Sequence, residues 1–197
     1  MCKVAILKYN AGNIQSVVYA LERQGVVPTL TDDPQILREA EKVIFPGVGE
    51  ASTAMRYLQD KGLDQVIKEL TQPVLGICLG LQLMCQYSEE NDTEALGIFP
   101  ATVRLFPQAV GKVPHMGWNN VETTIHPLLA DIPNGSHMYF VHGYYAELSD
   151  YTVGQTRYGL SFSSVMQKDN FFATQFHPEK SGRHGAQILQ NFINLAA

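Results

Sequence analysis

The chain has 197 residues, 45% of them hydrophobic and 17% charged, a globular composition with enough length to build a core without staples. A formal net charge of −5 speaks against a protein that grips nucleic acid by neutralising phosphates. With a mean hydropathy of −0.07 and no apolar run of the roughly 18 residues a membrane helix needs, no membrane association is expected either.

Residues 3–7 read as a strand, preceded by too little chain for a signal-peptide core, so a cytoplasmic location is expected. The turn-rich Tyr9-Asn-Ala-Gly-Asn13 follows, then a helix from Ile14 with Val17, Val18 and Leu21 at helical spacing and Gly25 as its C-terminal stop. A second strand is expected over 28–31. Asp33-Pro34 then supplies an N-cap and a first-turn proline for a helix through Glu39. Residues 42–45 form a third strand that ends in Pro46-Gly47-Val48-Gly49. Helical pattern resumes near Ala51, breaks at Gly62 and continues to Leu70. A fourth strand spans 73–77, and 79–87 reads as the helix after it. Strands alternating with helices predict a single α/β domain over 1–197, a mostly parallel, doubly wound sheet flanked by helices.

After Glu89 the texture changes to short β-like runs at 102–106, 138–141, 144–147 and 152–156. Residues 161–167 and 171–175 suggest a hairpin around Lys168-Asp169-Asn170, and a last helix runs from about His184 to Leu195. The second half should therefore add antiparallel strands to the parallel sheet. No linker long enough to separate two domains is present.

Of three cysteines, Cys2 and Cys85 read as small packing residues, and an odd count without a CxxC offers neither a disulfide framework nor a zinc ribbon. Cys78 differs. It lies within Gly76-Ile-Cys78-Leu79-Gly80-Leu-Gln82, where a buried strand passes directly into a helix. In a nucleophile elbow the reactive side chain occupies a tight strand-to-helix turn, and flanking glycines let the two backbones approach. A helix N-terminus favours thiolate over thiol, and the N–H of Leu79 is placed for an oxyanion on the carbonyl under attack. A thiolate nucleophile needs a base and a group to orient it, and Phe176-His177-Pro178-Glu179 offers both. In an extended segment His177 and Glu179 would point the same way. Taken alone, His-Pro-Glu reads more readily as a surface turn, and its weight comes from being paired with the cysteine elbow. Pro46-Gly47-Val48-Gly49 ends another strand of the same sheet, where its two glycines leave the backbone free to turn an N–H toward a substrate oxygen as a second oxyanion donor, though by itself the loop reads equally as an ordinary strand-end turn. The remaining histidines form no ligand pattern, so neither a metal nor a cofactor is expected.

The elbow, the PGVG loop and the Phe-His-Pro-Glu segment together resemble a class I glutamine amidotransferase domain. Tyr9-Asn-Ala-Gly-Asn13, Val113-Pro-His-Met-Gly-Trp-Asn119, Tyr139-Phe-Val-His142 and Glu179-Lys-Ser181 further resemble the glutaminase subunits of imidazole glycerol phosphate synthases in histidine biosynthesis. The resemblance spans essentially the whole chain. It implies that Cys78 attacks the carboxamide of L-glutamine, that His177 shuttles protons and that Glu179 orients it. Leu79 with Val48 or Gly49 would form the oxyanion hole, and Gly47, Gln82, Gly143 and Tyr144 would contact substrate. Such proteins usually carry Ser or Thr where this chain has Gly143. The implied partner is a (β/α)8-barrel synthase subunit that receives the ammonia, making a heterodimer, with Asn13, Trp118, Tyr139 and Lys180 near the interface. A glutaminase for another synthase, a stand-alone γ-glutamyl hydrolase and a non-catalytic module on a related fold remain as alternatives.

Overall fold

The computed structural model describes residues 2–9 and 14–196. Four short strands, β1 (Val4–Leu7), β2 (Thr29–Thr31), β3 (Lys42–Phe45) and β4 (Val74–Ile77), run parallel in the order β2-β1-β3-β4. β1, β3 and β4 are buried at every position, as strands covered on both faces must be. Alternate side chains sort into two cores. Ala5, Leu7, Val43 and Phe45 face α2 (Pro34–Glu39), α3 (Ala51–Asp60), α4 (Leu63–Glu69) and α5 (Leu79–Met84). Val4, Ile6, Ile44 and Leu75 face α1 (Ile14–Glu22) and α6 (Gly182–Asn194). Helices on both faces make the sheet doubly wound, with the order of strands reversing at β1.

Local chemistry places the early helices where the sequence suggests. The Asp33 carboxylate accepts the N–H groups of Gln35 and Ile36 ahead of α2, Glu50 does the same for Ser52 and Thr53 ahead of α3, and Gly62 breaks α3 from α4 with φ +66°. α5 is a correction. It stops at Met84 rather than running to Tyr87, and Cys85–Ser88 forms strand β5. The carbonyls of Leu83 and Cys85 accept the N–H groups of Leu96 and Gly97, so a distant loop closes the helix end that local sequence leaves open.

The second half continues with β6 (Thr93–Glu94), β7 (Phe99–Leu105), β8 (His115–Thr123), β9 (Ser136–His142), β10 (Tyr144–Ala146), β11 (Thr152–Tyr158), β12 (Leu160–Lys168) and β13 (Phe171–Thr174). β12 and β13 form the expected antiparallel hairpin, and β13 then lies parallel to β4. β12, β10 and β7 extend the sheet by antiparallel pairing, while β8 and β9 form an antiparallel ribbon tied to it through β11. β5, β6 and β8 have no counterpart in the expected elements. Parallel pairing brings the carboxyl ends of β1, β3, β4 and β13 to one edge, so Tyr9, the PGVG loop, Cys78 and the Gln175–Glu179 segment all emerge there. Among the described residues no helix is long and apolar enough to cross a membrane.

Candidate active site

Cys78 joins β4 to α5 with φ +55° and ψ −104°, a conformation that costs an L-residue energy and is held by what surrounds it. Its N–H donates to the Thr174 carbonyl at 2.7 Å, which ties the elbow to β13. The flanking glycines are there for space. A Cβ on Gly76 would sit 2.9 Å from both the Gly80 carbonyl carbon and the Met84 sulfur, and one on Gly80 would strike the Phe45 carbonyl. α5 has only six residues, so its dipole is weaker than the longer expected helix would supply, and the N–H groups of its first turn are the larger resource.

Cys78 is 6% exposed. The Gln175 amide approaches its Sγ at 3.7 Å, and the Val141 carbonyl lies 3.9 Å away. His177 enters from the end of β13 in extended conformation, its N–H donating to the Tyr139 carbonyl at 2.9 Å. Residues 178–180 then form a single 3-10 turn rather than an extended run. The expected meeting of His177 and Glu179 occurs through this turn, with Glu179 Oε1 2.8 Å from His177 Nδ1 and both side chains 2% exposed. Because a carboxylate at Nδ1 fixes the proton there or favours the doubly protonated ring, Nε2 is left for Cys78 and substrate. Nε2 has no hydrogen-bond partner among the described residues. Burial lowers the His177 pKa, but Cys78 and Glu179 outweigh it and raise the value to about 10.

The PGVG loop is pinned from both sides. The Tyr9 hydroxyl donates to the Pro46 carbonyl at 2.6 Å, and Leu79 N–H donates to the Gly47 carbonyl at 3.2 Å. The first of the two expected oxyanion donors is therefore taken by the loop in this conformation. Gly47 has no room for a side chain against Tyr9 and Leu79, and Gly49 sits at φ +141°.

Cys78 opens into a cavity of about 240 Å³ whose walls include Val48, Gly49, Leu79 and Gln82 on one side and His142, Gly143 and Tyr144 on the other. The structure thus brings together most residues named from sequence. Gln82 donates through Nε2 to the Tyr144 carbonyl at 2.9 Å and to Gln175 Oε1 at 3.1 Å. A Cβ on Gly143 would meet only Val113 Cγ1 at 3.9 Å among the described residues, so the wall has space there for a small side chain. Several contributors escaped the sequence reading. Gln175 lies beside the thiol, His142 lines the cavity wall, and Glu90 supplies its carboxylate. Burial raises the Glu90 pKa, opposed by a hydrogen bond from the Ala51 N–H and reinforced by Glu50. Glu90 sits in an ordinary acidic turn, Glu89-Glu90-Asn91, and nothing local marks it out.

Of the residues expected near a partner, Asn13 lies outside the described residues. Trp118 and Tyr139 face each other across the β8–β9 ribbon with ring centroids 6.0 Å apart at 69°. Trp118 is 56% exposed and Met116 62%, and Lys180 is exposed as well.

Comparison with known proteins matches the arrangement to a family. The family model of class-I glutamine amidotransferases covers residues 6–195 of this chain. The chain belongs to the class-I glutamine amidotransferase family. Among curated relatives of this amidotransferase, the imidazole glycerol phosphate synthase component HisH of Bacteroides fragilis is 53% identical over 195 residues, 98% of this chain and 100% of that protein. The HisH protein of Pasteurella multocida is 44% identical over 194 residues, 98% of each chain. Solved amidotransferase structures share the fold at low identity. The PurLQS structure of Thermotoga maritima aligns with TM-score 0.74 at 18% identity over 98% of both chains. A glutamine amidotransferase structure of the same organism aligns with TM-score 0.67 at 18% identity, over 97% of this chain and 82% of its own. Within the amidotransferase family the chain groups with the HisH proteins.

Proposed function

We propose that this glutamine amidotransferase hydrolyses L-glutamine with Cys78, His177 and Glu179 and hands the ammonia to a (β/α)8-barrel synthase subunit that makes imidazole glycerol phosphate and an aminoimidazole carboxamide nucleotide. The observation that carries the reading is the convergence of three side chains from two strand ends. Cys78 is held in a strained elbow, and the buried His177 is backed by Glu179 on one nitrogen and free on the other.

The chemistry follows from those atoms. A raised His177 pKa means that the imidazolium is stable beside Cys78, so His177 can hold the proton that the sulfur gives up on attack. The Cys78 sulfur bonds to the carboxamide carbon, and the carbonyl oxygen takes the negative charge. As the tetrahedral adduct collapses, the C–N bond breaks and His177 Nε2–H protonates the departing nitrogen to give ammonia. The neutral imidazole then takes a proton from water, whose oxygen attacks the glutamyl thioester and expels the thiolate, leaving glutamate and restoring the pair. Glu90 is the cavity's carboxylate and suits the substrate's α-ammonium, while Gln82 and the backbone of Gly143 and Tyr144 hold the rest of the amino-acid head.

The oxyanion needs donors, and Leu79 N–H donates to Gly47 instead. The PGVG loop must release it, with Val48 or Gly49 adding the second N–H, before the site works at full rate. One lost oxyanion donor costs about 100–1,000-fold. This supports a glutaminase that is slow alone and activated when partner and acceptor nucleotide are bound. Ammonia release should be low for the chain alone and rise steeply once acceptor and barrel partner are both present. Cys78→Ala should abolish glutamine-dependent synthesis while synthesis from added ammonium salt continues. Full glutaminase activity in the isolated chain would overturn the coupling, and activity retained by Cys78→Ala would overturn the nucleophile.

A further inference from the structure

A second pair of buried histidines stands outside the triad. His115 on β8 and His142 at the end of β9 lie opposite each other in register, with His115 Nδ1 2.9 Å from His142 Nε2. Both are enclosed, at 4% and 5% exposure. Tyr158 and Phe140 stack on His115 at centroid distances of 4.1 and 4.9 Å, and Phe162 stands 5.2 Å from His142.

The protons on this pair are dictated from both ends. His142 Nδ1 is 2.7 Å from the Tyr144 carbonyl, which only accepts, so Nδ1 carries the hydrogen. A neutral His142 then accepts at Nε2, and His115 must donate from Nδ1. That leaves His115 Nε2 as an acceptor, and the Asn119 amide donates to it at 3.3 Å. Asn119 cannot turn its amide over, because its Nδ2 also donates to the Arg157 carbonyl at 3.1 Å and its Oδ1 accepts the Asn120 N–H at 2.9 Å. One proton arrangement satisfies every atom. A second proton on either ring would set two N–H groups against each other. Burial depresses both rings, His115 to about 4 and His142 to about 3, and the titratable groups around them are each other, His177 and Tyr158.

The Tyr144 carbonyl, where this series of hydrogen bonds ends, is shared. It also accepts from Gln82, which donates onward to Gln175, whose amide reaches the Cys78 sulfur at 3.7 Å. We propose that His115 and His142 are positioning residues, a neutral pair of fixed tautomer that holds the Tyr144 carbonyl and so sets the Gly143–Tyr144 turn and Gln82 for glutamine. The assignment rests on the glutaminase reading above. The pair touches no reacting atom, and its role goes beyond the triad by giving work to two residues that the hydrolysis itself does not use. It also explains why an ionisable pair sits near a working imidazolium without competing with it: neither ring takes up charge.

Two measurements test it, one independent of turnover. Nitrogen-15 NMR of the imidazoles should find His115 and His142 both neutral with hydrogen on Nδ1 and unchanged from about pH 5 to about pH 9, where an ordinary histidine titrates. Kinetics of the complex with its barrel subunit should then separate two substitutions. His142→Leu leaves the buried carbonyl without this donor and should raise KM for glutamine about tenfold or more, with a smaller effect on kcat. His142→Asn, whose side-chain amide can replace Nδ1–H, should recover most of that loss. Hydrogen on Nε2 of either ring, titration near the ordinary histidine value, or equal KM for the Leu and Asn variants would overturn the proposal. Absence of ammonia release by the wild-type complex would instead overturn the glutaminase reading, leaving the NMR result to decide the pair.

Discussion

At the scale of single residues, His177 is placed so that its surroundings decide its charge. Burial opposes the imidazolium, yet Cys78 and Glu179 raise its pKa from 6.5 to about 10. A group whose pKa rises on folding adds stability that is complete below its unfolded value and fades as pH climbs through the folded one. His177 should therefore help hold the fold below about pH 6.5 and lose that contribution progressively toward about pH 10. Glu179→Gln removes one of the two supports, so denaturant unfolding across this window should show a flatter pH dependence than wild type. Parallel curves would mean that Glu179 does not sustain the imidazolium. The same substitution should cut glutaminase kcat by about 100-fold or more, as removing the orienting acid does in other triads. Cys78 and His177 were legible as candidates at this scale, since one stands between two glycines and the other before Pro-Glu, and the fold brings both to one edge of the sheet. Gln175 and Glu90 were not, because an amide and a carboxylate in ordinary contexts acquire meaning only from what folds against them.

Elements carry the next level of constraint. The elbow works because β3, β4 and the start of α5 approach more closely than side chains permit. Gly80→Ala would drive a methyl group into the Phe45 carbonyl and should cost about 1–3 kcal/mol, with loss of activity from displaced Cys78. Gly143→Ser is the contrasting case. It enters open wall space and should leave the melting temperature within a degree or two, while glutamine affinity stays or improves. Thermal denaturation and glutamine kinetics of the two variants check both, and a severe loss in Gly143→Ser would show that the turn itself requires glycine. The elements that sequence located best were those with local punctuation: Asp33-Pro34, Gly62 and the Lys168-Asp-Asn170 turn. β5 and β8 were missed for a shared reason. α5 ends where Leu96 and Gly97 arrive from another part of the chain to take its carbonyls, and β8, with Gly117, Asn119 and Asn120, has weak strand propensity and is made a strand by pairing with β9 and β11.

For the whole molecule, the parallel half and the antiparallel half do different work. The first gathers loops from four strand ends into one edge that holds the proposed site; the second supplies the opposite wall and the β8–β9 ribbon that carries Trp118 and Met116 outward. An exposed tryptophan beside an exposed methionine is poorly spent in solvent and suits a partner surface. Trp118→Ala should leave chain stability within about 0.5 kcal/mol but weaken assembly with the proposed barrel partner about tenfold or more. Titration of the two proteins against each other checks this, and an unchanged dissociation constant would return Trp118 to an ordinary surface residue.

From sequence alone came the α/β class and the strand-to-helix elbow, with the triad residue types as candidates, because these rest on short-range physics: apolar periodicity, capping, and glycine where backbones touch. Tertiary structure alone decided where the opposing wall stands, which acceptor Leu79 currently serves, and how His115, His142 and Tyr144 join into one proton arrangement. Those facts depend on groups tens of residues apart meeting within hydrogen-bond distance, and a buried donor or acceptor must find its partner wherever the fold happens to bring one.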